Sequence, residues 1–386
     1  MSDPILIYLI AGEPSGDLLA ARLMIALRQL TEGRVRFAGI GGEAMREQGM
    51  NSLFPQSDLA VMGYFEVLPL IPKIMLRLNQ TLIDIERNCP SAIVTIDSWG
   101  FSGRVVKRLK SRGSSIPRIH YVAPMVWAWK EKRSFLLAKR VDLLLCLLPN
   151  EPAYFTKVGL RAVYVGHAVM ESGADKGDGD AFRKRHSILP TVPLICVLPG
   201  SRRSETSRLL PVFAKTIELL VKKYPNLQIV IPTVDTVIND VRKTIWSAPA
   251  TVIHGVTERY DAFAACRVAL AASGTVALEL AMAKLPMVIG YRINYFTAMI
   301  IRHLIKTPYI CLINLMIGRM VIPELIQKDC RVDLLTAELT RLIDDDFLRK
   351  SQLINTEKSI AKFNFDDNNT PSRRAASEIL SFIKNK

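Results

Sequence analysis

The chain is short of cysteine, histidine and unbroken apolar sequence, and each shortage removes a class of function. Its six cysteines (Cys89, Cys146, Cys196, Cys266, Cys311 and Cys330) are scattered through 386 residues. They have neither the paired spacing of a zinc site nor the density of a disulfide scaffold, so buried free thiols are expected. The five histidines, His120, His167, His186, His254 and His303, show no ligand spacing, and no metal site is expected. No apolar stretch reaches the ~18 residues of a membrane-crossing helix, since "VDLLLCLLP" and "LPMVIGY" both break early. No G-x-G-x-x-G follows the first apolar run and no Walker lysine follows a glycine loop, which argues against NAD and ATP and leaves no cofactor to expect. Aromatics make up 7% of the chain and few lie among basic residues, so stacking platforms for nucleic acid are not evident. Asp3 precedes the first apolar run where a signal peptide would carry basic residues, and a cytoplasmic location is expected.

What is present is ample core material and a strong positive charge. Nearly half the residues (49%) are apolar, enough for the two domains that this length suggests. A formal net charge of +15 favours anionic partners: nucleic acid, an acidic membrane face or phosphorylated small molecules. Along the chain, apolar runs of strand length alternate with helical periods: "ILIYLIA", "VRFAGIGG", "AIVTIDS", "RIHYVAP", "LLLCLLP" and "AVYVGH". Continuous rather than alternating apolar runs suit parallel strands covered on both faces. After the Gly/Asp-rich "MESGADKGDGD" a second cycle begins with "PLICVLPGSR" and continues through "LQIVIP", "ATVIHG", "VALAASGT" and "LPMVIGY". The expected fold is therefore α/β with two Rossmann-like domains, residues 1–170 and 171–369. A terminal helix over 370–386 is expected to pack back on the first.

Ligands of open parallel sheets bind beyond the carboxyl ends of the strands, so the loops there hold the candidate residues. In "LPGSRRSE", Gly200, Ser201 and Arg202 form either a diphosphate-binding turn or an ordinary turn with a surface arginine. In "AASGTVALELA", Ser273, Gly274 and Thr275 open a helix whose amides attract phosphate, and Glu279 lies one turn in, where its two oxygens match ribose hydroxyls. The plainer alternative is a capped core helix with a solvated glutamate. In "TIDSWGF", Asp97 either accepts a proton from an attacking hydroxyl or caps the next helix. In "AGEPSGDLLAARLM", Glu13, Ser15 and Gly16 lie at the mouth of a helix, unless Ser15 or Asp17 simply caps it. "YVAPMVWAWKEKR" sets two tryptophans beside a basic cluster at a groove or in the core.

One segment is amphipathic. In "VMGYFEVLPLIPKIMLRLNQ" (61–80), Val67, Leu68, Leu70, Ile71, Ile74 and Met75 crowd together with Lys73 and Arg77 between them. This pattern fits contact with an anionic membrane surface, or alternatively a buried core helix. Residues 295–320 have a similar blend.

Taken in order, "AGEPSGDLLAARL", "LAVMGYFEVL", "IHYVAPMVWAWKEKR", "VGHAV", "LPGSRRSE", "ASGTVALELAMAKLPMVIGYR" and "KTPYICLINLMIGRMVIPELIQ" resemble the lipid-A-disaccharide synthase family, from Ile5 to about Gln327. The resemblance implies an inverting glycosyltransferase of the two-domain GT-B type, metal-independent and peripheral on the cytoplasmic face of the inner membrane. The implied substrates are UDP-2,3-diacylglucosamine and 2,3-diacylglucosamine 1-phosphate (lipid X), the products lipid A disaccharide 1-phosphate and UDP. It further implies Asp97 as general base, Ser201 and Arg202 on the diphosphate, Glu279 on the ribose, and Ser273, Gly274 and Thr275 at the helix terminus. Asn314 and Gln327 match further active-site positions, and family homodimers exchange C-terminal parts. On this basis residues 1–170 take the acceptor and membrane and 171–369 the UDP-sugar. One departure stands out: the family's Asp-x-Pro-Asp-Phe is "DSWGF" here, with Trp99 and Gly100 replacing the proline and second aspartate. The alternatives are a UDP-sugar epimerase of the same fold acting on UDP-GlcNAc, and a basic RNA-binding or membrane-adaptor protein without catalysis. The segment 61–80 favours a lipid substrate over the first.

Overall fold

Parallel strands buried on both faces need continuous apolar sequence, and the runs picked out above all become parallel strands, the inner ones buried along most or all of their length and the edge ones partly exposed. The computed structural model describes residues 4–59, 71–124, 132–294, 299, 307–363 and 369–385. Two compact units emerge, Met1–Ala168 with Phe365–Lys386, and Val169–Asn364.

In the first unit β1 (Ile5–Ala11), β2 (Val35–Ile40), β3 (Ala92–Ile96), β4 (Arg118–Tyr121), β5 (Leu143–Cys146) and β6 (Arg161–Tyr164) form one sheet in the order β2-β1-β3-β4-β5-β6. All its strand pairs are parallel. Helices α1 (Pro14–Leu30), α2 (Glu43–Glu47), α3 (Ile71–Asn88), α4 (Trp99–Ser111), α5 (Lys132–Ala138) and α6 (Pro152–Thr156) connect them.

The second unit repeats the plan. Strands β7 (Leu194–Leu198), β8 (Gln228–Thr233), β9 (Ala250–His254), β10 (Val268–Ala271), β11 (Met287–Tyr291) and β12 (Glu324–Ile326) lie in the order β12-β11-β10-β7-β8-β9, again parallel. Its helices are α7 (Gly179–Arg185), α8 (Arg203–Lys223), α9 (Ile238–Lys243), α10 (Val256–Ala265), α11 (Val276–Met282), α12 (Leu312–Ile317), α13 (Val332–Asp344) and α14 (Asp346–Ala361). The last helix, α15 (Pro371–Lys384), belongs to the first unit, as expected from its apolar stripe. Ala375, Ala376 and Ile379 are fully buried in the core formed by Leu23 and Leu27 of α1 and the inner face of the sheet. Thr370 caps its start by accepting from Arg373 N–H at 3.3 Å.

Helix α3 separates the two readings of segment 61–80. Ile74, Leu78, Leu82 and Ile85 fall on one face and are buried against Tyr8, Ile10 and Ile93. Ile74 is therefore a core residue and not a membrane contact, a correction that follows from helical periodicity. Met75, Leu76 and Ile83 are exposed. Ile71 begins the helix, whereas Val67, Leu68 and Leu70 lie outside the described residues, as do Trp127 and Trp129.

Each sheet reverses its strand order once, between β1 and β3 in the first and between β7 and β10 in the second. Neighbouring strands there send their loops to opposite faces, leaving a crevice at their carboxyl ends where ligands of such sheets bind.

Candidate active site

Every loop singled out around Glu13, Asp97, Ser201 and Ser273 leaves one of those four strands. Among the described non-glycine residues with left-handed backbone, Glu32, Cys89, Ser187 and Lys284 follow helix ends, an ordinary exit. Asp97 (φ 51°), Ser98 (φ 30°), Val122 (φ 86°) and Gln327 (φ 54°) instead follow strands β3, β4 and β12. Such conformations cost about 1–3 kcal/mol each and persist where surrounding structure enforces them, commonly at functional sites. For β-branched Val122 the strain is greatest.

In the first unit the loop after β1 meets the turn after β3. Asp97 N–H donates to the Tyr121 carbonyl (2.9 Å), and Ser15 Oγ lies 3.5 Å from Asp97 Oδ2, a long contact that sets the carboxylate beside the first turn of α1. The approach is close because Gly16 would place a Cβ only 3.3 Å from the Ile96 carbonyl oxygen, and Gly12 one 3.2 Å from Ser98 Oγ. Glu13 is the N-cap residue of α1 but makes no side-chain cap bond. Its carbonyl, with that of Ala11, accepts from Gln56 Nε2 (3.1 and 2.9 Å), so Gln56 braces the loop.

Both capping alternatives are corrected. Neither Ser15 nor Asp17 caps α1: the buried Asp17 carboxylate accepts from the amides of Gly42 (2.7 Å), Ala44 (2.9 Å) and Met45 (3.2 Å), holding the start of α2. Nor does Asp97 cap α4, whose N-cap residue is Ser98 without a side-chain cap bond.

In the second unit Leu198 pairs with Ala271, so the loops after β7 and β10 start side by side. Gly200 adopts φ 107° and approaches Glu205, to which a Cβ would lie 2.6 Å away. Glu205 is the hub of this turn. Its carboxylate accepts from Ser201 N–H (3.3 Å) and Tyr291 Oη (3.3 Å) and lies 3.8 Å from the Arg202 guanidinium. Burial, with Glu205 beside it, pushes the Tyr291 hydroxyl pKa up. Ser201 and Arg202 are exposed, and the Ser201 carbonyl is pinned by Thr236 Oγ1 at 2.8 Å. At the neighbouring loop, Gly274 and Thr275 are exposed and Ser273 half-buried. Glu279 lies 3.4 Å from the Arg259 guanidinium of α10. Sequence reasoning missed Gln56, Glu205 and Arg259. Glu205 alone left a signal, four residues after Ser201 in the first turn of a helix.

Asn314 requires a correction. It is fully buried, and its amide is engaged on both ends. Oδ1 accepts from Val321 N–H (2.9 Å) and Ile322 N–H (3.0 Å), and Nδ2 donates to the Ile322 carbonyl (2.8 Å) and Glu324 Oε1 (2.6 Å). This is a structural clamp on β12, the strand that leads to Gln327, rather than a cleft contact. Burial raises the pKa of Glu324, despite hydrogen bonds from the Ile310 amide and Asn314. Gln327 itself is half-buried at the carboxyl end of β12.

Two parallel sheets with ligand-type loops at both reversals define a two-domain α/β enzyme of the GT-B type. The same fold occurs in a UDP complex of S. aureus MnaA (TM-score 0.65, 14% identity, 98% of this chain and 96% of that one). It recurs in the UDP-GlcNAc 2-epimerase of Neisseria meningitidis bound to UDP-GlcNAc (0.64, 12%, 99% and 100%) and in Acinetobacter baumannii MurG (0.54, 12%, 99% and 100%). The model of the lipid-A-disaccharide synthetase family matches residues 7–379. The lipid-A-disaccharide synthase of Paramagnetospirillum magneticum is 52% identical over 98% of both chains. The probable mitochondrial one of Arabidopsis thaliana is 37% identical over 98% of this chain and 91% of its own. The chain belongs to this family, and with it to the glycosyltransferases of lipid A biosynthesis.

Proposed function

We propose that the protein transfers the diacylglucosamine of UDP-2,3-diacylglucosamine to the 6-hydroxyl of 2,3-diacylglucosamine 1-phosphate, with inversion. The products are the β(1→6) disaccharide 1-phosphate and UDP. The observation that carries this reading is the carboxylate of Asp97. It is relieved of capping duty, sits on a strained turn at the sheet reversal and lies beside the first turn of α1.

In the proposed step the acceptor hydroxyl gives its proton to Asp97 as its oxygen bonds to the anomeric carbon. The bond from that carbon to the UDP oxygen breaks on the opposite face, and the electron pair leaves with the diphosphate. Ser201 and Arg202 offset the charge that develops there, while Ser273, Gly274 and Thr275 present amides at the neighbouring loop. Glu279, oriented by Arg259, binds the ribose, and Gln327 lines the cleft. Glu13, Ser15 and Gly16 serve the acceptor, with Glu13 on sugar hydroxyls and the start of α1 on the phosphate. The net charge and the exposed apolar residues of α3 support attachment to an anionic leaflet, where both acylated substrates reside.

The test is a radiolabelled transfer assay with both lipid precursors. Asp97→Asn should lower kcat about 10²–10⁴-fold with the fold intact, and near-normal turnover would remove Asp97 from the role of base. Incubation with UDP-GlcNAc alone should yield no epimer; an epimer would favour the epimerase reading instead.

A further inference from the structure

The left-handed turn at Asp97 and Ser98 has to be held in place, and the residue after it is Trp99. Trp99 opens α4, and its indole packs against His120 with centroids 4.7 Å apart and planes at 66°. It also lies over Gly103, where a Cβ would come within 2.7 Å of Cε2 and 2.9 Å of Nε1. Only glycine leaves room for the ring at that position. Trp99 also packs against a small core of Ala123, Leu137, Leu144 and Phe155.

His120 is a fixed platform for this ring. It pairs in register with Thr95 on the adjacent strand and is fully buried. Thr95 Oγ1 lies 3.2 Å from the Ile119 carbonyl and 2.8 Å from His120 Nδ1. The contact to Nδ1, together with the strand pairing, holds the ring plane. By contrast Gly100, next along, is exposed, with nothing within 4 Å of a Cβ placed there, and provides no anchor. On its other side the turn is confined by Gly12, packed near Ser98 Oγ.

We propose that Trp99 is the positioning residue for Asp97: its indole, seated on His120 above Gly103, locks the first turn of α4 and so holds the Asp97–Ser98 backbone that aims the carboxylate. The inference rests on the reading of Asp97 as the base. Without the anchor the turn relaxes toward ordinary backbone, and displacement of a reacting group by about 1 Å costs on the order of 10² in rate.

The full-length protein is assayed for transfer, with KM for the UDP-sugar and UDP-binding stoichiometry measured on the same preparations. Trp99→Leu should lower kcat about 30-fold with the donor KM within about twofold, because the nucleotide loops lie in the other unit. Trp99→Phe keeps an aromatic ring on His120 and should stay within about threefold of the parent. Gly103→Ala attacks the contact from the helix side. Helix propensity favours alanine, yet the new methyl displaces the indole, so kcat should fall about as far as in Trp99→Leu. Adding Trp99→Phe to Gly103→Ala should restore much of it. If Trp99→Leu and Gly103→Ala both keep kcat within about threefold while Asp97→Asn abolishes turnover, the positioning role fails and the base assignment stands. If Asp97→Asn turns over normally, the base assignment fails first. Losses that merely track the fraction of protein able to bind UDP would make Trp99 a stability residue and overturn the inference.

Discussion

Asn314 and Asp97 illustrate opposite ways in which a polar side chain is used. Asn314 spends both ends of its amide on four hydrogen bonds inside the protein. Asp97 spends its backbone N–H on Tyr121 and leaves its carboxylate beside a helix terminus. Removing a buried, fully engaged amide costs about 1–3 kcal/mol for each group left unsatisfied. Asn314→Ala should therefore lower the urea-unfolding midpoint, and Asn314→Asp should too, because a carboxylate would face that of Glu324. A residue that only touched substrate would leave the midpoint unchanged. In sequence, "CLINLM" shows a polar residue within an apolar helix but not where its partners lie, seven, eight and ten residues on. Arg259 was invisible for a similar reason, since its tie to Glu279 spans 20 residues.

At the scale of the element, α3 shows how far periodicity can be read. Residues 74, 78, 82 and 85 form one apolar face, but which residues turn outward depends on the helix register against β1 and β3. The two faces predict different outcomes. Ile74→Ser should destabilise by about 2–5 kcal/mol, as truncation of a buried aliphatic does. Met75→Ser with Leu76→Ser should leave the melting temperature within a few degrees while weakening flotation with phosphatidylglycerol vesicles. Unchanged flotation would shift the membrane role to residues 295–320. Helix α1 offers a parallel case: Asp17 is three residues from its start yet serves α2 instead. Local rules name a good capping residue but not the helix it caps.

Across the whole molecule, two buried histidines couple stability to pH. Burial lowers both His120 and His167 from the ordinary 6.5 to about 4. Between those values the unfolded chain binds protons that the folded one does not, so stability is fully present above pH 6.5 and falls as pH drops toward 4. The slope is about 1.4 kcal/mol per pH unit for each histidine. Urea unfolding at pH 7 and pH 5 should show this loss, and His167→Phe should reduce the slope; an unaltered slope would mean that His167 is not protonated on unfolding in this range. What the sequence by itself determined was the two-cycle α/β plan, the parallel character of both sheets and the loops worth inspecting, because buried strands and helix starts have local compositional signatures. Only the tertiary structure decided the strand order and hence that those loops converge at the two reversals. It also decided that Asn314, Asp17 and Ile74 are structural, that Glu205 braces the turn after β7 and Arg259 pairs with Glu279, and that Trp99 leans on His120. Strand order and side-chain pairing arise from contacts between residues far apart in the chain, and such contacts leave no period or spacing behind.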